Sequence, residues 1–482
     1  MSAAADTRPD GALAGVTVID LTQQLPGPYA TLLLVGLGAR VIKIEPPSLD
    51  VGRWLDPPMF EAVNAGKESV VLDLKRPEAQ EALQRLAATA DVLVEGFRPG
   101  VAARLGAGAE ALAAVNPGLV YCSISGFGAG GPYRDVPGHD LNYLGIAGGL
   151  QAGASGPEEI AMPIVDLAAG TMAALSVVAA LLRRRAGGPG AELDVSMLDS
   201  AVFWSHAKVP PGAGPAGDRL PGGEPTYGVF TAADGRQVSL GVLEDKFWRS
   251  LCRALSWSDW QDEPSLATHA QRRGRAPEIH ARLVDAIAAR PRDHLMADFL
   301  AQDVPAAPVH THAEAPDDPQ VRLRGLFAEA VGDALPRALP PLPPALRAFS
   351  PQDRAPAPGA DTERVLGALG YGPEELGRLR ESGRYRHDAP RPPGVTRRRR
   401  CRCRGRPPGA AIQRGHHAGT GHPRADPAPP ARPDVAVGRR AGPDQPEPAQ
   451  PDRARRGQPV ARVARGHRRR PGRQPRRPAQ GR

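Results

Sequence analysis

Short apolar blocks rich in β-branched residues alternate, through the first two hundred positions, with longer stretches in which apolar residues recur every three or four. Val16-Thr17-Val18-Ile19-Asp20-Leu21 reads as a strand, and Pro28 suits the first turn of a helix running to about Leu37. The same reading gives strands at Ala39 to Glu45 and Ser69 to Leu74, a helix from Pro77 to Ala88 and a strand at Asp91 to Glu95. A helix around Ala109 to Val115, a strand at Leu119 to Ser125, a long apolar helix from Leu167 to Arg184 and a strand at Ala191 to Val195 complete the set. Strands alternating with helices predict an α/β fold around a doubly wound parallel sheet.

The pattern changes after Trp204. Pro210-Pro211-Gly212-Ala213-Gly214-Pro215 reads as part of a linker over 206–225, and a smaller α+β domain is expected over 226–330. Within it, Tyr227 to Thr231 and Gln237 to Leu240 flank Asp234-Gly235, a hairpin signal, and helical patterns run from Glu244 to Leu255 and Pro277 to Ala289. A Pro-rich bridge, Leu339 to Pro344, and one helix-like stretch, Asp361 to Ser382, suggest that 331–386 returns to the large domain begun at 12–205.

Composition divides the chain near Tyr385. Residues 387–482 hold 25 arginines, no lysine and six acidic residues, a net of +19, which leaves −10 for the remainder of a chain whose overall charge is +9. This tail lacks Leu, Met, Phe, Tyr, Trp, Ser and Asn, so it has little apolar surface to offset the entropy of ordering and is expected to be disordered. A basic run such as Arg397 to Arg400 could meet phosphates, yet no aromatic side chain is interleaved to stack on bases. A solvated extension is a second reading. A GC-rich gene read out of frame past its true end is the third and is preferred, which disfavours a nucleic-acid partner.

No signal-like amino terminus and no apolar run of membrane-spanning length stand out, so a cytoplasmic protein without a membrane partner is expected. Cys122 and Cys252 are isolated, and Cys401 and Cys403 have no His or Cys partners nearby, so neither a disulfide nor a metal site is assigned.

Candidate chemistry gathers in one region. Ser123-Ile124-Ser125-Gly126-Phe127-Gly128-Ala129-Gly130-Gly131-Pro132 is an apolar run breaking into glycines, and Pro137-Gly138-His139-Asp140-Leu141-Asn142-Tyr143-Leu144 follows it. An imidazole beside a carboxylate near the end of a strand is where ligands of open α/β sheets collect. On its own, a His beside an Asp is more often a satisfied loop pair, and an Asp such as Asp166 before an apolar helix is more often an N-cap. The glycines do not form the GxGxxG turn that opens a helix, so a nicotinamide cofactor is set aside.

Seven ordered blocks resemble the family III CoA-transferases, also called the CaiB/BaiF family, across nearly all of positions 12 to 384. They are LPGPYAT, GLGARVIKIEPP, NAGKESVVLDLK, DVLVEGFRPGVAARLG, LVYCSISGFG, GPYRDVPGHDLNYL and ELDVSMLDSAV. The resemblance implies a Rossmann-like large domain, an interlocked homodimer, an acyl-CoA substrate, and coenzyme A as part of that substrate rather than a resident cofactor. Carried over by position, the coenzyme contacts fall on Leu72, Asp73, Leu74 and Lys75, on Gly96, Phe97, Arg98 and Arg104, and on Gly138, Leu141, Asn142 and Tyr143. Arg98 and Arg104 suit phosphates because a guanidinium fork donates several charge-assisted hydrogen bonds. A basic residue commonly follows the acidic one in the KIE-like strand; here Pro46 follows Glu45, so one phosphate contact is either missing or supplied by Arg53.

The resemblance also frames the reaction. A transferase of this family uses an Asp nucleophile and an acyl anhydride, whereas a racemase uses two bases on opposite faces of the α-carbon. Asp166 matches the catalytic Asp of both branches. His139 in GHDxNYL is similar to the racemase base, Glu244 resembles the racemase Glu that orients the pair, and the Asp140 backbone N–H is the candidate donor to the enolate oxygen. Epimerisation of a 2-methylacyl-CoA is therefore placed ahead of CoA transfer between carboxylic acids through an Asp166 anhydride. A basic nucleic-acid-binding protein with an inactive enzyme-like domain is the alternative from another class.

Overall fold

The computed structural model describes residues 11–150, 152–153, 156–157, 162–207, 224–329 and 336–382. Six parallel strands form its main sheet: β1 (Thr17–Asp20), β2 (Arg40–Glu45), β3 (Glu68–Val71), β4 (Val92–Glu95), β5 (Val120–Ser125) and β6 (Ala191–Ser196). Their spatial order is β3-β2-β1-β4-β5-β6. This is the Rossmann order, which reverses direction between β1 and β4.

Successive side chains on a strand face opposite ways, and the sheet is apolar on both faces because helices cover both. Val18, Val41, Val92 and Val120 pack toward α1 (Pro26–Gly36) and α6 (Ile164–Arg185), meeting Leu34, Val35, Ala173, Val177 and Leu181. Their neighbours Ile19, Ile42, Leu93 and Tyr121 turn to the other face. There they meet Ala79, Leu83 and Leu86 of α3 (Pro77–Ala87), Leu112 of α4 (Ala109–Val115), and Val365 and Leu366 of α11 (Thr362–Ala368). Between β2 and β3 lies α2 (Pro57–Asn64), started by Asp56 capping the Met59 N–H and by Pro57 at its first position.

Two further helices border the C-terminal ends of the strands, α5 (Asp140–Ile146) and α7 (Met197–His206). The smaller lobe holds an antiparallel sheet of β7 (Tyr227–Thr231), β8 (Gln237–Gly241) and β9 (Ala306–Pro308), in the order β9-β8-β7. Gly235 turns the β7–β8 hairpin with φ +76°. Helices α8 (Asp245–Ala254), α9 (Ala276–Ala288) and α10 (Arg292–Ala301) close over it around Trp248, Leu251, Leu283, Leu295 and Phe299. Ala328, Leu339 and Phe349 then pack into the core of the large sheet.

Four expectations change. The single helix expected over Asp361 to Ser382 is two, α11 and α12 (Pro373–Ser382), because Gly370 adopts φ +89° and Pro373 opens a new first turn. The strand expected to reach Leu74 ends at Val71, which leaves Leu72 to Lys75 in the loop beyond it. The short β9 was not anticipated. Finally, α6 begins at Ile164 rather than Leu167 and spans 22 residues, so by length and composition it could cross a membrane, against the expectation that no apolar run is long enough. Half of that apolar stretch is buried within the protein, packed on α1 and β5 as a core helix. The Pro210 to Pro215 stretch and the Arg-rich residues 387–482 lie outside the described residues.

Candidate functional site

A cavity of about 390 Å³ opens at the C-terminal ends of β1, β4, β5 and β6, beside the point where the strand order reverses. His139, Asp166, Gly138, Tyr143, Gly96, Phe97 and Arg98 line it together, with Gln23, Gln24, Ser125, Arg134 and Met197. A narrower cleft of about 130 Å³ adjoins it, lined by Leu72, Asp73, Leu74 and Lys75. Leu21, Gln23 and Phe97 are walls of both spaces, so the two form neighbouring parts of one groove.

Backbone geometry explains how these side chains arrive. Glu95 ends β4, and its carboxylate accepts the Phe97 N–H at 2.7 Å, fixing the turn that carries Gly96, Phe97 and Arg98. After β5, the Gly128 N–H donates to Ser125 Oγ at 3.0 Å, and the Ala129 N–H donates to Asp194 Oδ2 at 2.9 Å. The first half of the glycine loop is therefore anchored. A Cβ at Gly126 would meet the Tyr143 hydroxyl at 2.5 Å, and one at Gly138 would meet the Tyr143 ring at 2.9 Å. Glycine stands at both positions because the Tyr143 ring passes close to both backbones. Phe127 meets that ring edge-on, with centroids 5.1 Å apart, and packs on Tyr133 on its other side.

His139 precedes α5, and its backbone N–H donates to Asn142 Oδ1 at 2.9 Å. The imidazole is exposed to the cavity. Asp166 is not the N-cap of α6 that an Asp before an apolar helix suggests; it is the third residue of the helix. The cap comes from another element. Asp140 Oδ1 accepts the Val165 N–H at 2.6 Å and the Asp166 N–H at 3.0 Å, so the residue next to His139 clamps the start of the helix that carries Asp166.

Electrostatics at the clamp follow from this placement. Burial pushes the Asp166 carboxyl up to about 7, and the nearby Asp140 carboxylate adds to the shift. A carboxyl that titrates near neutrality can both accept and return a proton at physiological pH. In Asp140→Asn the amide oxygen can still accept both N–H groups while the charge is lost. Asp166 should then titrate below 7 but above the ordinary 3.8, since burial, the larger cause, remains. Carbon-detected NMR titration of the Asp166 carboxyl checks this; an unchanged midpoint would exclude the charge effect. The folded carboxyl holds its proton to higher pH than the unfolded one, so its contribution to stability is complete below about 3.8 and is lost as pH rises through about 7.

Several expected contacts sit elsewhere. Arg104 ends a short exposed helix and is not a wall of either space, and Leu141 points away, 59% exposed. Asn142 is occupied with the His139 backbone. Glu244 is exposed at the start of α8 in the smaller lobe and does not line the cavity of its own chain. Arg53 is not free to replace a phosphate contact: it grips the buried Glu45 carboxylate bidentately at 2.7 and 2.6 Å and also donates to Pro356 O.

Sequence reasoning passed over Gln23, Gln24 and Arg134. The first two belong to the turn after β1, whose Gln24 takes a left-handed φ of +63°. Buried charges hold that turn. Lys43 Nζ donates to Thr22 O at 2.7 Å and pairs with Asp50 at 2.8 Å, while Asp20 accepts the Thr22 N–H at 2.9 Å and pairs with Lys67 at 3.0 Å. Burial alone would raise the Asp20 carboxyl, but Lys67, Lys43 and the Thr22 and Thr31 hydroxyls outweigh it and hold it well below the carboxylate range. Among the described residues, no group of three or more His, Cys, Asp or Glu is placed to hold a metal ion.

The residues that build this groove come from between Leu21 and Met197, and that span lies within the match to the family model described as CoA-transferase family III, which covers residues 13–362. Human alpha-methylacyl-CoA racemase is 33% identical over 384 residues, with 76% of this chain and 96% of that protein covered. The acetyl-CoA:oxalate CoA-transferase of Acetobacter aceti is 34% identical, with 70% and 90% covered. The crystal structure of Rv3272 from Mycobacterium tuberculosis superposes with a TM-score of 0.64 at 30% identity, covering 74% of this chain and 99% of that one. Model, relatives and fold agree: this chain is an acyl-CoA enzyme that belongs to CoA-transferase family III.

Proposed function

We propose that this enzyme is an α-methylacyl-CoA racemase. The observation that carries the reading is the pairing, in one cavity, of the His139 imidazole with an Asp166 carboxyl that titrates near 7. One of the two removes the proton from the carbon next to the thioester carbonyl. The C–H electron pair moves onto the carbonyl oxygen to give an enolate, and the other residue delivers a proton to the opposite face as the carbonyl re-forms. The Asp140 N–H, at the first position of α5 where intrahelical bonding leaves a donor free, serves the enolate oxygen. Coenzyme A runs from the cleft at Leu72 to Lys75, past Gln23 and Phe97, into the cavity, where Arg98 and Arg134 supply positive charge.

A homodimer fits the distribution of apolar surface. Leu141, Ile146, Phe203 and Trp204 on α5 and α7 are exposed in the single chain, Phe203 by 69%. In such a dimer Glu244 of a second copy orients the proton-transfer pair.

The test is incubation of the full chain with one epimer of a 2-methylacyl-CoA in deuterated water. Deuterium at the α-carbon together with loss of stereochemical purity is the expected result. CoA transfer to an added free acid with no α-deuterium would replace this reading with the Asp166 anhydride route, which relatives such as the Acetobacter enzyme keep in view.

A further inference from the structure

Glu244 is exposed, and its side chain does not cap the helix it precedes. Its orientation has to come from its neighbours. Both of them are held by one residue from a different part of the smaller lobe. Arg272, on the short helix His269–Gly274, is only 1% exposed. Its Nη2 donates to Leu243 O at 3.0 Å and lies 2.8 Å from Asp245 Oδ1. Nη1 donates to Leu266 O at 3.2 Å and Ala267 O at 3.4 Å, and the guanidinium lies over the Trp248 ring, 5.5 Å from its centroid.

We propose that Arg272 is a positioning residue for Glu244: one buried guanidinium hydrogen-bonds the carbonyl of residue 243 and pairs by charge with residue 245, and so sets the direction in which the carboxylate between them projects. The inference rests on the reading that Glu244 serves the proton-transfer pair. A buried Arg that only staples a core would need its carbonyl acceptors alone. Here the guanidinium also forms an ion pair, on the far side of Glu244, with Asp245, whose Oδ1 is buried against it while the rest of that side chain reaches solvent. Nη2 serves both flanking residues while Nη1 holds the Leu266 and Ala267 carbonyls, so the rigid guanidinium ties the 243–245 turn to the 266–267 turn, a span that a compact ammonium on a flexible stem does not reproduce.

Arg272→Lys keeps the charge and loses the fork. In the full-length enzyme it should lower kcat for α-deuterium exchange about tenfold to a hundredfold, the cost of misplacing an oriented group, with KM almost unchanged because the groove residues lie on the larger lobe. Asp245→Asn, a milder change at a half-exposed carboxylate, should give a smaller loss in the same direction and preserves the test if Arg272→Lys folds poorly. In a Glu244→Gln background neither replacement should cost anything further. Losses that multiply with that of Glu244→Gln, or a loss confined to KM or to thermal stability, would overturn the positioning role while leaving the racemase reading intact. A Glu244→Gln enzyme with full exchange activity would remove the role of Glu244 and the inference with it. Absence of exchange in the unaltered enzyme would remove the racemase reading itself.

Discussion

His139→Ala should lower α-deuterium incorporation into a 2-methylacyl-CoA about a hundred- to ten-thousand-fold, the range typical of a lost general acid or base. Asp166→Asn should do the same. The informative comparison is between the two with a free carboxylic acid present as acceptor. If the enzyme transferred CoA through an anhydride at Asp166, His139→Ala would retain much of its turnover while Asp166→Asn would lose it. If it epimerises, both replacements fail alike, because each residue is the base in one direction and the acid in the other. One direction needs Asp166 ionised with His139 protonated, and the other needs Asp166 protonated with His139 neutral. The two forms hold the same single proton, so both directions should follow one shared bell-shaped pH profile, to which the Asp166 carboxyl raised to about 7 contributes a limb. Values of kcat/KM from each epimer across pH 5 to 9 give the profile; the absence of any titration in this range would argue against Asp166 as one of the pair.

The second large effect is on stability. Lys67→Met should destabilise the protein by about 3–5 kcal/mol, the cost of leaving a buried charge without its partner. The Lys67 ammonium and the Asp20 carboxylate are fully buried, and Lys67 also donates to Asn64 Oδ1 at 2.9 Å and Pro28 O at 3.0 Å. Denaturant unfolding followed by tryptophan fluorescence and far-ultraviolet circular dichroism measures the loss. A change below about 1 kcal/mol, the level of an exposed pair, would mean that water reaches Asp20. Because Asp20 also accepts the Thr22 N–H, the surviving folded fraction should bind acyl-CoA more weakly through a loosened Gln23–Gln24 turn.

Much of the scaffold was legible because burial on two faces writes itself into sequence as short continuous apolar runs. Val18 and Ile19, or Leu93 and Val94, are adjacent in the chain and enter opposite cores, so neither could be polar. Caps and breaks were harder to read. The helix expected to be continuous from Asp361 parts at Gly370 to Pro373, a signal present in the residues and outweighed by apolar spacing on either side. At the site, His139 and Asp166 could be named because they sit in distinctive blocks. The Gln23–Gln24 turn could not, since its shape depends on Lys43 and Lys67, some twenty and forty-five positions away. The role of the Asp140 side chain was missed for a related reason: a carboxylate beside a His invites a local pairing, whereas its acceptors are used 25 and 26 positions later.

That long-range clamp has a consequence for how the enzyme can diversify. Seventeen residues, 147–163, separate α5 from α6, yet the Asp140 carboxylate joins the two helix starts directly. Position 140 is the one closed to change: only a side chain whose oxygen accepts both the Val165 and the Asp166 N–H keeps the two helix starts together, which leaves little beyond Asp and Asn at the residue next to the imidazole.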